Sequence, residues 1–272
     1  MDYRTTDDGI IVSQNCFDLA QTLDCGQAFR WSEREDGSFE GDFLNEHLVI
    51  SEIRDGEFLF HGITEEKFLS VWKDYFDFDT DYSAIIERLS EDETLAKACR
   101  FAPGIRILRQ DAWEALCSFI ISQNNNIPRI QGIVSRLCEG FGEDTGNGFS
   151  FPAAERLSKL EPDDLAPLRA GFRARYIIDA ARKCAEGSVD LEKLKTAPIE
   201  DARKELMTIT GVGAKVAECT LLYGLHRMEA FPIDVWMKKA LKDEFAGITP
   251  EMLGHTAGIA QQYIFHYTRN SK

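Results

Sequence analysis

The sequence of 272 residues lacks any apolar run approaching the ~20 residues that a membrane-spanning helix requires. Its first residues are too polar to form the apolar core of a signal peptide. Glycine and proline are sparse, at 20 and 8 residues, and 44% of the chain is apolar, which excludes low-complexity, collagen-like and disordered proteins. We therefore expect an ordered cytoplasmic protein of one or two domains with no membrane partner.

Paired cysteines are also missing. The seven cysteines are scattered and form no Cys-x-x-Cys pair, which argues against a zinc site, an iron–sulfur cluster or a redox motif. We assign no metal ligands and interpret the cysteines mostly as buried free thiols. They are Cys16, Cys25, Cys99, Cys117, Cys138, Cys184 and Cys219.

The chain lacks a positive net charge, with 46 acidic residues against 31 basic ones and a formal charge of −15. Averaged over the chain, this charge argues against a nucleic-acid partner, because phosphate binding requires a basic surface. The distribution is uneven, however. Residues 1–104 carry 24 acidic and 9 basic side chains, whereas residues 105–272 carry 22 of each. The second part can therefore present a basic face, and DNA or RNA binding stays open.

The first 60 residues have the composition of β-structure. Asp-Gly pairs, which are typical of tight hairpins, separate several strand-like runs. This pattern predicts an antiparallel meander. The strand-like runs include residues 10–12, 28–31, 47–50 and 57–60.

Helical spacing replaces the β pattern from Thr64 onward. Phe68, Trp72 and Tyr75 recur with the period of one helix face, and a second helical stretch covers residues 82–100. From residue 111 to the end the pattern is helical, without an alternating run long enough to predict a strand.

A capping box opens the first helix of this later part. Asp111 and Glu114 have the spacing of the box, and Trp113 belongs to the face that we expect to be buried. The predicted fold class is α+β. A domain of residues 1–104 contains a twisted antiparallel sheet with flanking helices, and an all-α domain of residues 105–272 follows it.

The most informative stretch, residues 206–219, reads Leu-Met-Thr-Ile-Thr-Gly-Val-Gly-Ala-Lys-Val-Ala-Glu-Cys. A helix ends near Thr208, a tight turn at Gly211, Val212 and Gly213 reverses the chain, and a new helix begins. The two glycines allow positive φ and close backbone approach, so the turn can present N–H groups to an anion such as a DNA phosphate. An ordinary helix corner with a glycine C-cap accounts for the turn equally well.

Lys215 falls in the first turn of the second helix, where the positive end of the helix dipole disfavours a protonated amine. An amine must lose its proton before it can attack carbon, so this position favours a nucleophile. Nineteen residues later, Asp234 stands where another helix starts. For a single aspartate at a helix start, capping is the commoner role, and it stays an alternative here.

These motifs resemble those of the helix-hairpin-helix DNA glycosylases, and among them the 8-oxoguanine DNA glycosylase/AP lyases. Family members carry Gly-Val-Gly-x-Lys-Val-Ala-x-Cys and, nineteen residues after the lysine, an aspartate within Pro-[Val/Ile]-Asp-Val. Lys215, Cys219 and Asp234 match these positions. Three further segments are similar to the family's Gly-Gln-[Ser/Ala]-Phe-Arg-Trp, Leu-Arg-Gln-Asp and Asn-Asn-Asn-Ile-x-Arg-Ile, so the resemblance covers nearly the whole chain. They are residues 26–31, 108–111 and 124–130.

The resemblance implies a covalent mechanism. Deprotonated Lys215 attacks the sugar C1′ and expels the damaged base, while Asp234 stabilises the cationic sugar and helps to orient or deprotonate the amine. The resulting imine permits β-elimination of the 3′ phosphate, so both activities share one site. No organic cofactor is implied, and a monovalent cation at the hairpin carbonyls stays open.

The resemblance also implies a pocket for a base that has left the duplex. Cys219 is at its floor, Phe265 stacks on the purine, and Gln261 contacts the Watson–Crick edge. The carbonyl of Gly26 accepts a hydrogen bond from the N7–H that distinguishes 8-oxoguanine from guanine. Without the resemblance, we would interpret Phe265 as a core residue, Gln261 as a surface residue and Gly26 as part of a turn.

The family's DNA contacts match further residues. Asn124 fills the space that the extruded base leaves, and Arg129 and Arg173 donate to the orphaned cytosine. Without the resemblance, we would interpret these arginines as solvent-exposed residues on a helix surface. Phe172 stands where the family often has a tyrosine wedge, and Trp236 stands where animal enzymes have histidine and some bacterial ones tryptophan, which points to the bacterial branch.

The predicted partner is double-stranded DNA containing an oxidised purine, bound by a monomer that is nucleoid-associated in a prokaryote. A glycosylase for oxidised pyrimidines or alkylated bases is an alternative within the fold. The endonuclease III type usually ends in four clustered cysteines, yet none follows Cys219 here, and the alkylpurine type generally lacks the lysine. A non-catalytic DNA-binding module is the alternative from another class, but it leaves the positions of Lys215 and Asp234 unexplained.

Overall fold

Six strands from the first quarter of the chain form one antiparallel sheet in the computed structural model, which describes residues 1–271. The strands are β1 (Asp2–Thr6), β2 (Gly9–Ser13), β3 (Trp31–Glu33), β4 (Phe39–Phe43), β5 (Glu46–Arg54) and β6 (Glu57–His61).

The strand order is β1-β2-β6-β5-β4-β3. Strands β3 to β6 form the predicted meander, and Asp-Gly turns connect β3 to β4 and β5 to β6. The predicted meander is wrong at the first two strands. In a meander β2 would pair with β3, whereas here β2 of the β1–β2 hairpin pairs with β6. In that register Ile10 faces Phe60 and Val12 faces Phe58, and all four side chains are fully buried. Burial of these apolar side chains accounts for the position of the hairpin.

The predicted strand at residues 28–31 is also wrong, because β3 begins only at Trp31. Phe29 turns away from the sheet and packs edge-on against Phe119 of the helical core, with ring centroids 5.8 Å apart. Arg30 forms an ion pair with Glu114. These contacts draw the segment toward the helical part of the chain, although the Arg30 carbonyl still accepts a hydrogen bond from the Asp42 N–H of β4 at 3.4 Å.

Short helices follow the first β-hairpin and the sheet. They are α1 (Leu19–Leu23), α2 (Glu65–Lys67), a π-helical segment (Phe68–Trp72), α3 (Lys73–Tyr75), α4 (Tyr82–Leu89) and α5 (Glu93–Phe101). The helical stretch predicted over residues 82–100 is confirmed, and it consists of two helices. The reason is Asp92, whose carboxylate accepts hydrogen bonds from the N–H groups of Thr94 and Leu95 and starts α5.

The rest of the described chain is helical, and no strand follows β6 up to residue 271. The α+β fold is therefore confirmed. The helices are α6 (Ala112–Ser122), α7 (Ile127–Phe141), α8 (Ala154–Leu157), a 3₁₀ segment (Pro162–Leu168), α9 (Arg173–Ala185), α10 (Leu191–Leu194), α11 (Ile199–Leu206), α12 (Ala214–Cys219), a π-helical segment (Thr220–Gly224), α13 (Val235–Lys242), α14 (Pro250–Leu253), a 3₁₀ segment (Gly254–Thr256) and α15 (Ala257–Asn270).

Only half of the predicted capping box is present at α6. The Asp111 carboxylate accepts from the Glu114 N–H at 2.8 Å, as predicted. The Glu114 carboxylate accepts from Arg30 instead of returning to the helix start. Trp113, predicted to be buried, is half-buried, and its indole N–H donates to the carbonyl of Pro152.

Two apolar cores lie in the molecule, one against the sheet and one among the helices. The helical core includes Tyr82 and Leu95, which precede residue 104, and the predicted domain boundary there stays a prediction. All seven cysteines are free thiols and five are buried, as expected. No helix within residues 1–271 is long and apolar enough to span a membrane.

Candidate active site

The Gly-Val-Gly turn joins α11 to α12 as a tight hairpin, which confirms the predicted helix-hairpin-helix geometry. Gly211 has φ +81°, and a Cβ there would lie 2.3 Å from the ring of Tyr176, so only glycine fits. Val212 is buried and its N–H donates to the carbonyl of Ile209. Gly213 caps α12 with open space beside its Cα, so a ligand backbone can approach the helix start closely.

Lys215 projects from the first turn of α12 toward the last turn of α6. Its Nζ donates to Oγ of Ser122 at 3.2 Å and lies 5.2 Å from the ring centroid of Phe119. Ser122 in turn donates to the carbonyl of Phe119 at 2.8 Å. The hydroxyl proton of Ser122 is therefore committed to the backbone, and its oxygen lone pairs face the amine.

Asp234 is the N-cap of α13. Its Oδ1 accepts from the Met237 N–H at 2.9 Å, so the capping role is real. Within residues 1–271 its second oxygen makes no hydrogen bond, and Lys215 Nζ forms no ion pair with it within 4 Å. Capping therefore leaves one carboxylate oxygen available for chemistry.

A cavity of about 680 Å³ brings Lys215 and Asp234 together with four other predicted site residues. The sheet domain contributes Gly26 to its wall, and α15 contributes the half-buried Phe265. The predicted residues that line it are Gly26, Asn124, Gly213, Lys215, Asp234 and Phe265.

Both the backbone conformation and the limited space around residue 26 favour glycine at this position. Its φ is +86°, and a Cβ would lie 3.3 Å from Cδ1 of Ile127. A larger residue would strain the backbone and press on the wall of the cavity. The structure therefore requires glycine here, beyond the ordinary turn that the sequence alone allows.

Two predicted pocket residues do not line this cavity. Gln261 is only 3% exposed, so its interpretation as a surface residue is wrong. Its Oε1 lies 3.4 Å from the Tyr223 hydroxyl, whose single proton is closer to Oε1 of the neighbouring Gln262. Cys219 is buried one helical turn after Lys215, behind the lining residues. Burial raises the pKa of the Cys219 thiol, and the Lys215 ammonium opposes that shift.

The two predicted DNA-binding arginines differ in environment. Arg173 is only 4% exposed, which makes its interpretation as solvated surface wrong. Its Nε donates to the carbonyl of Gln123 at 2.8 Å and its Nη1 donates to that of Ala170 at 3.0 Å. Burial lowers the pKa of Arg173, and the nearby charge of Arg129 adds to that shift. Arg129 itself is exposed at the start of α7.

Asn124 and Phe172 lie close to the Arg173 side chain. Arg173 holds the loop in which Asn124, at φ +51°, is exposed. Phe172 is 45% exposed, with the guanidinium carbon 4.4 Å from its ring centroid. An exposed ring at this position fits the predicted wedge.

The sequence interpretation missed several residues of the cavity wall. Lys238 and Arg269 are exposed basic residues that lie one helical turn after Asp234 and Phe265. Spacing of four residues on a helix could have found both. Ser122 and Phe119, which contact Lys215, had no comparable signal because they lie 93 and 96 positions away in the sequence.

The fold and the cavity define a helix-hairpin-helix protein whose hairpin lysine and helix-capping aspartate face one pocket. Family models identify it further. Residues 9–116 match the model described as 8-oxoguanine DNA glycosylase, N-terminal domain, and residues 117–252 match that of the HhH-GPD superfamily base excision DNA repair proteins. The chain belongs to the 8-oxoguanine DNA glycosylase/AP lyase family of this superfamily.

Similar proteins include two glycosylase/lyases and one DNA glycosylase named for a different base. The chain is 32% identical to an N-glycosylase/DNA lyase of Saccharomyces cerevisiae over 90% of its own length and 72% of the yeast protein. It is 31% identical to a DNA-3-methyladenine glycosylase of Bacillus subtilis, over 70% of this chain and 64% of that one. It superposes with a TM-score of 0.91 on Clostridium acetobutylicum 8-oxoguanine glycosylase/lyase in complex with double-stranded DNA containing cytosine opposite 8-oxoguanine. That match covers 100% of this chain and 98% of the other, at 34% identity.

Proposed function

We propose that the chain is a bifunctional DNA glycosylase/AP lyase that excises 8-oxoguanine from double-stranded DNA. The observation that carries this proposal is the cavity in which Lys215 of the hairpin helix, Asp234 and the glycine of the sheet domain meet. Family membership supports base excision, and the lyase relatives support the covalent route.

Lys215 is the nucleophile in this proposal. Its neutral amine attacks C1′ as the bond from C1′ to the base breaks, and the base leaves with the bonding electron pair and takes up a proton. The uncommitted oxygen of Asp234 stabilises the positive charge that develops on the sugar. Loss of a proton from the nitrogen and opening of the sugar ring then give the imine.

The lyase step uses the same imine. The imine makes the C2′ proton acidic, so its removal forms a C2′–C3′ double bond and the 3′ phosphate leaves with the electrons of the C3′–O bond. Both steps therefore use the amine of Lys215, with Asp234 stabilising the sugar cation in the first step and a base accepting the C2′ proton in the second. No organic cofactor takes part in this proposal.

The lesion base enters the cavity between Phe265 and the wall at Gly26. A single hydrogen bond to the Gly26 carbonyl contributes about 1 to 3 kcal/mol, so discrimination against guanine also accumulates during extrusion and entry. Gln261 is buried and does not line the cavity, so it contacts the base only after a local rearrangement, and we propose that lesion binding causes this change.

On the opposite strand, we propose that Asn124 occupies the vacated space, that Arg129 selects cytosine, and that Arg173 acts through the loop whose carbonyls its guanidinium binds. Phe172 stacks beside the orphaned base as a wedge without a hydroxyl. The enzyme acts as a monomer in the cytoplasm, in a prokaryote at the nucleoid.

Borohydride trapping tests the proposal directly. Wild-type protein is incubated with duplexes containing 8-oxoguanine, 3-methyladenine or only normal bases, and trapped adducts are separated by electrophoresis. We expect an adduct and strand cleavage with 8-oxoguanine alone, and none with Lys215→Gln although it still binds the lesion duplex. Excision of 3-methyladenine in place of 8-oxoguanine would favour the alkylated-base alternative, and binding without any excision would favour the non-catalytic module.

A further inference from the structure

Glu218 is a buried carboxylate that lies outside the lesion cavity. It follows Lys215 by three residues on α12 and is 8% exposed. Its Oε1 accepts a hydrogen bond from Nε of Arg203, and its Oε2 accepts one from the N–H of Phe231 at 2.8 Å. Both carboxylate oxygens are therefore bonded to other segments of the chain.

The Phe231 segment leads directly to the catalytic aspartate of the proposed function. Phe231 is buried, and three residues later Asp234 caps α13. Glu218 thus connects the helix that carries Lys215 to the segment that carries Asp234. Within residues 1–271, Glu218 is the only side chain that forms a hydrogen bond with the backbone of residues 231–233.

Arg203, the other partner of Glu218, belongs to α11, the first helix of the hairpin unit. Its guanidinium also pairs with Glu200 on the same helix, whose side chain is largely exposed. Arg203, Glu218 and Phe231 line a separate cavity of about 330 Å³ on the other side of Lys215. A buried carboxylate is unfavourable unless it is fully hydrogen-bonded, so this one is held in a single orientation.

We propose that Glu218 is a positioning residue that fixes the separation of Asp234 and Lys215 by anchoring the Phe231 N–H. This inference rests on the proposed function, because it assumes that both residues act in the excision step. A displacement of about 1 Å between reacting groups can lower a rate by about two orders of magnitude, so a modest shift of the segment is measurable.

Glu218→Gln is the main test, because the amide keeps the size of the side chain but places a donor against Arg203 or Phe231. We expect the single-turnover rate of 8-oxoguanine excision to fall by about tenfold to a hundredfold, with the Kd for lesion DNA within about threefold of wild type. Glu200→Gln is the matched control, because it removes the other carboxylate on Arg203 without touching Phe231. Its excision rate should equal that of the wild type.

A double-mutant cycle separates positioning from a general structural role. In the Asp234→Asn background, Glu218→Gln should reduce the excision rate by less than about threefold, because the group that it positions is already disabled. Equal losses in both backgrounds would overturn the proposal. Melting temperatures are measured for every variant, and Glu218→Asp replaces Glu218→Gln if the latter is unfolded at the assay temperature.

The remaining outcomes are also decisive. Unfolding of both Glu218 variants, or wild-type excision by either folded variant, would overturn the positioning role. Failure of the wild-type protein to excise 8-oxoguanine would refute the proposed function itself, which keeps the two results distinguishable.

Discussion

Nη1 of Arg30, in the segment before β3, lies 3.2 Å from Oε2 of Glu114 in the first turn of α6. Arg30 also pairs with Asp42 of β4 at 3.3 Å, and its side chain is only 7% exposed. These two ion pairs connect the sheet to the first helix of the helical part. Burial raises the pKa of Glu114 to about 7, although the charge of Arg30 opposes the shift.

This pKa predicts a pH-dependent stability. Because the folded-state pKa of Glu114 exceeds that of the unfolded chain, the folded protein binds more protons between about pH 4.5 and 7. The free energy of unfolding should therefore decrease as the pH rises through this window, with a contribution of about 3 kcal/mol from Glu114. Urea unfolding of Glu114→Gln from pH 5 to 8 should show a shallower slope than the wild type.

An exposed carboxylate supplies the control for this measurement. Glu35 is exposed in the turn before β4, so Glu35→Gln should retain the wild-type dependence on pH. Identical slopes for wild type and Glu114→Gln would contradict the assignment of the effect to Glu114.

The two roles of Asp234 can be separated by substitution. Asparagine caps a helix about as well as aspartate, so Asp234→Asn should keep the melting temperature but reduce single-turnover excision by about a hundredfold or more. Asp234→Ala should lose the activity and also about 1 kcal/mol of stability, because the Met237 N–H loses its acceptor. Near-normal turnover by Asp234→Asn would show that the aspartate is only a cap.

The sequence predicted the site best where its geometry depends on local structure. Gly211 and Gly213 determine the hairpin, and the hairpin places Lys215 in the first turn of α12. The Asp234 cap follows equally from the start of α13. These features need no knowledge of distant parts of the chain, because each depends on backbone conformation within a few residues.

Predictions failed where a distant partner decides the environment. Gln261 is buried beside the hydroxyl of Tyr223, which lies 38 residues earlier in the chain. Arg173 is buried because the carbonyl of Gln123, 50 residues earlier, accepts its hydrogen bond. Strand β3 begins only at Trp31, because Phe29 packs on Phe119 and the Arg30 side chain pairs with Glu114. Helical and strand periodicity contain no information about such long-range partners.

The Gly26→Ala variant tests whether the sheet domain helps to distinguish 8-oxoguanine from guanine. The added methyl group would strain a backbone with φ +86° and press on Ile127 in the cavity wall. We expect the ratio of excision rates for 8-oxoguanine and guanine to fall by about tenfold, which corresponds to the loss of one hydrogen bond. Competition assays with both duplexes measure this ratio.

Gly37→Ala is the matched control, because Gly37 has a similar φ of +80° in the β3–β4 turn but nothing within 4 Å of the added Cβ. Gly37→Ala should lose about as much stability as Gly26→Ala and retain the full preference for 8-oxoguanine over guanine. An unchanged preference for 8-oxoguanine over guanine in Gly26→Ala would show that Gly26 does not take part in lesion recognition.

Arg173→Lys addresses the loop that carries Asn124. Lysine cannot reproduce the planar set of donors that bonds the carbonyls of Gln123 and Ala170, so the loop should loosen. We expect a loss of about 1 to 3 kcal/mol in stability and weaker lesion binding opposite every base. Arg175→Lys, at an exposed position on the same helix, should change neither quantity. A change confined to the duplex with cytosine would instead indicate direct base reading by Arg173.

Arg129 is the better candidate for reading the orphaned base, because within residues 1–271 its guanidinium forms no hydrogen bond or ion pair. Its donors match O2 and N3 of cytosine, whereas adenine presents an amino donor and no matching pair of acceptors. A good bidentate contact discriminates by about 1 to 3 kcal/mol, so excision opposite cytosine should exceed excision opposite adenine by roughly tenfold to a hundredfold. This preference would also prevent removal of 8-oxoguanine opposite a misincorporated adenine, which would fix a mutation.

Single-turnover excision opposite each of the four bases decides the role of Arg129. Arg129→Ala should flatten the preference for cytosine more than it lowers the rate opposite cytosine, because the lost contact is specific to that base. Arg156→Ala, at an exposed position on α8 outside the cavity, should leave both unchanged. If Arg129 contacts only phosphate, its removal should instead reduce activity equally opposite all bases and lower the salt dependence of binding by about one counterion. A uniform decrease would therefore rule out base reading by Arg129.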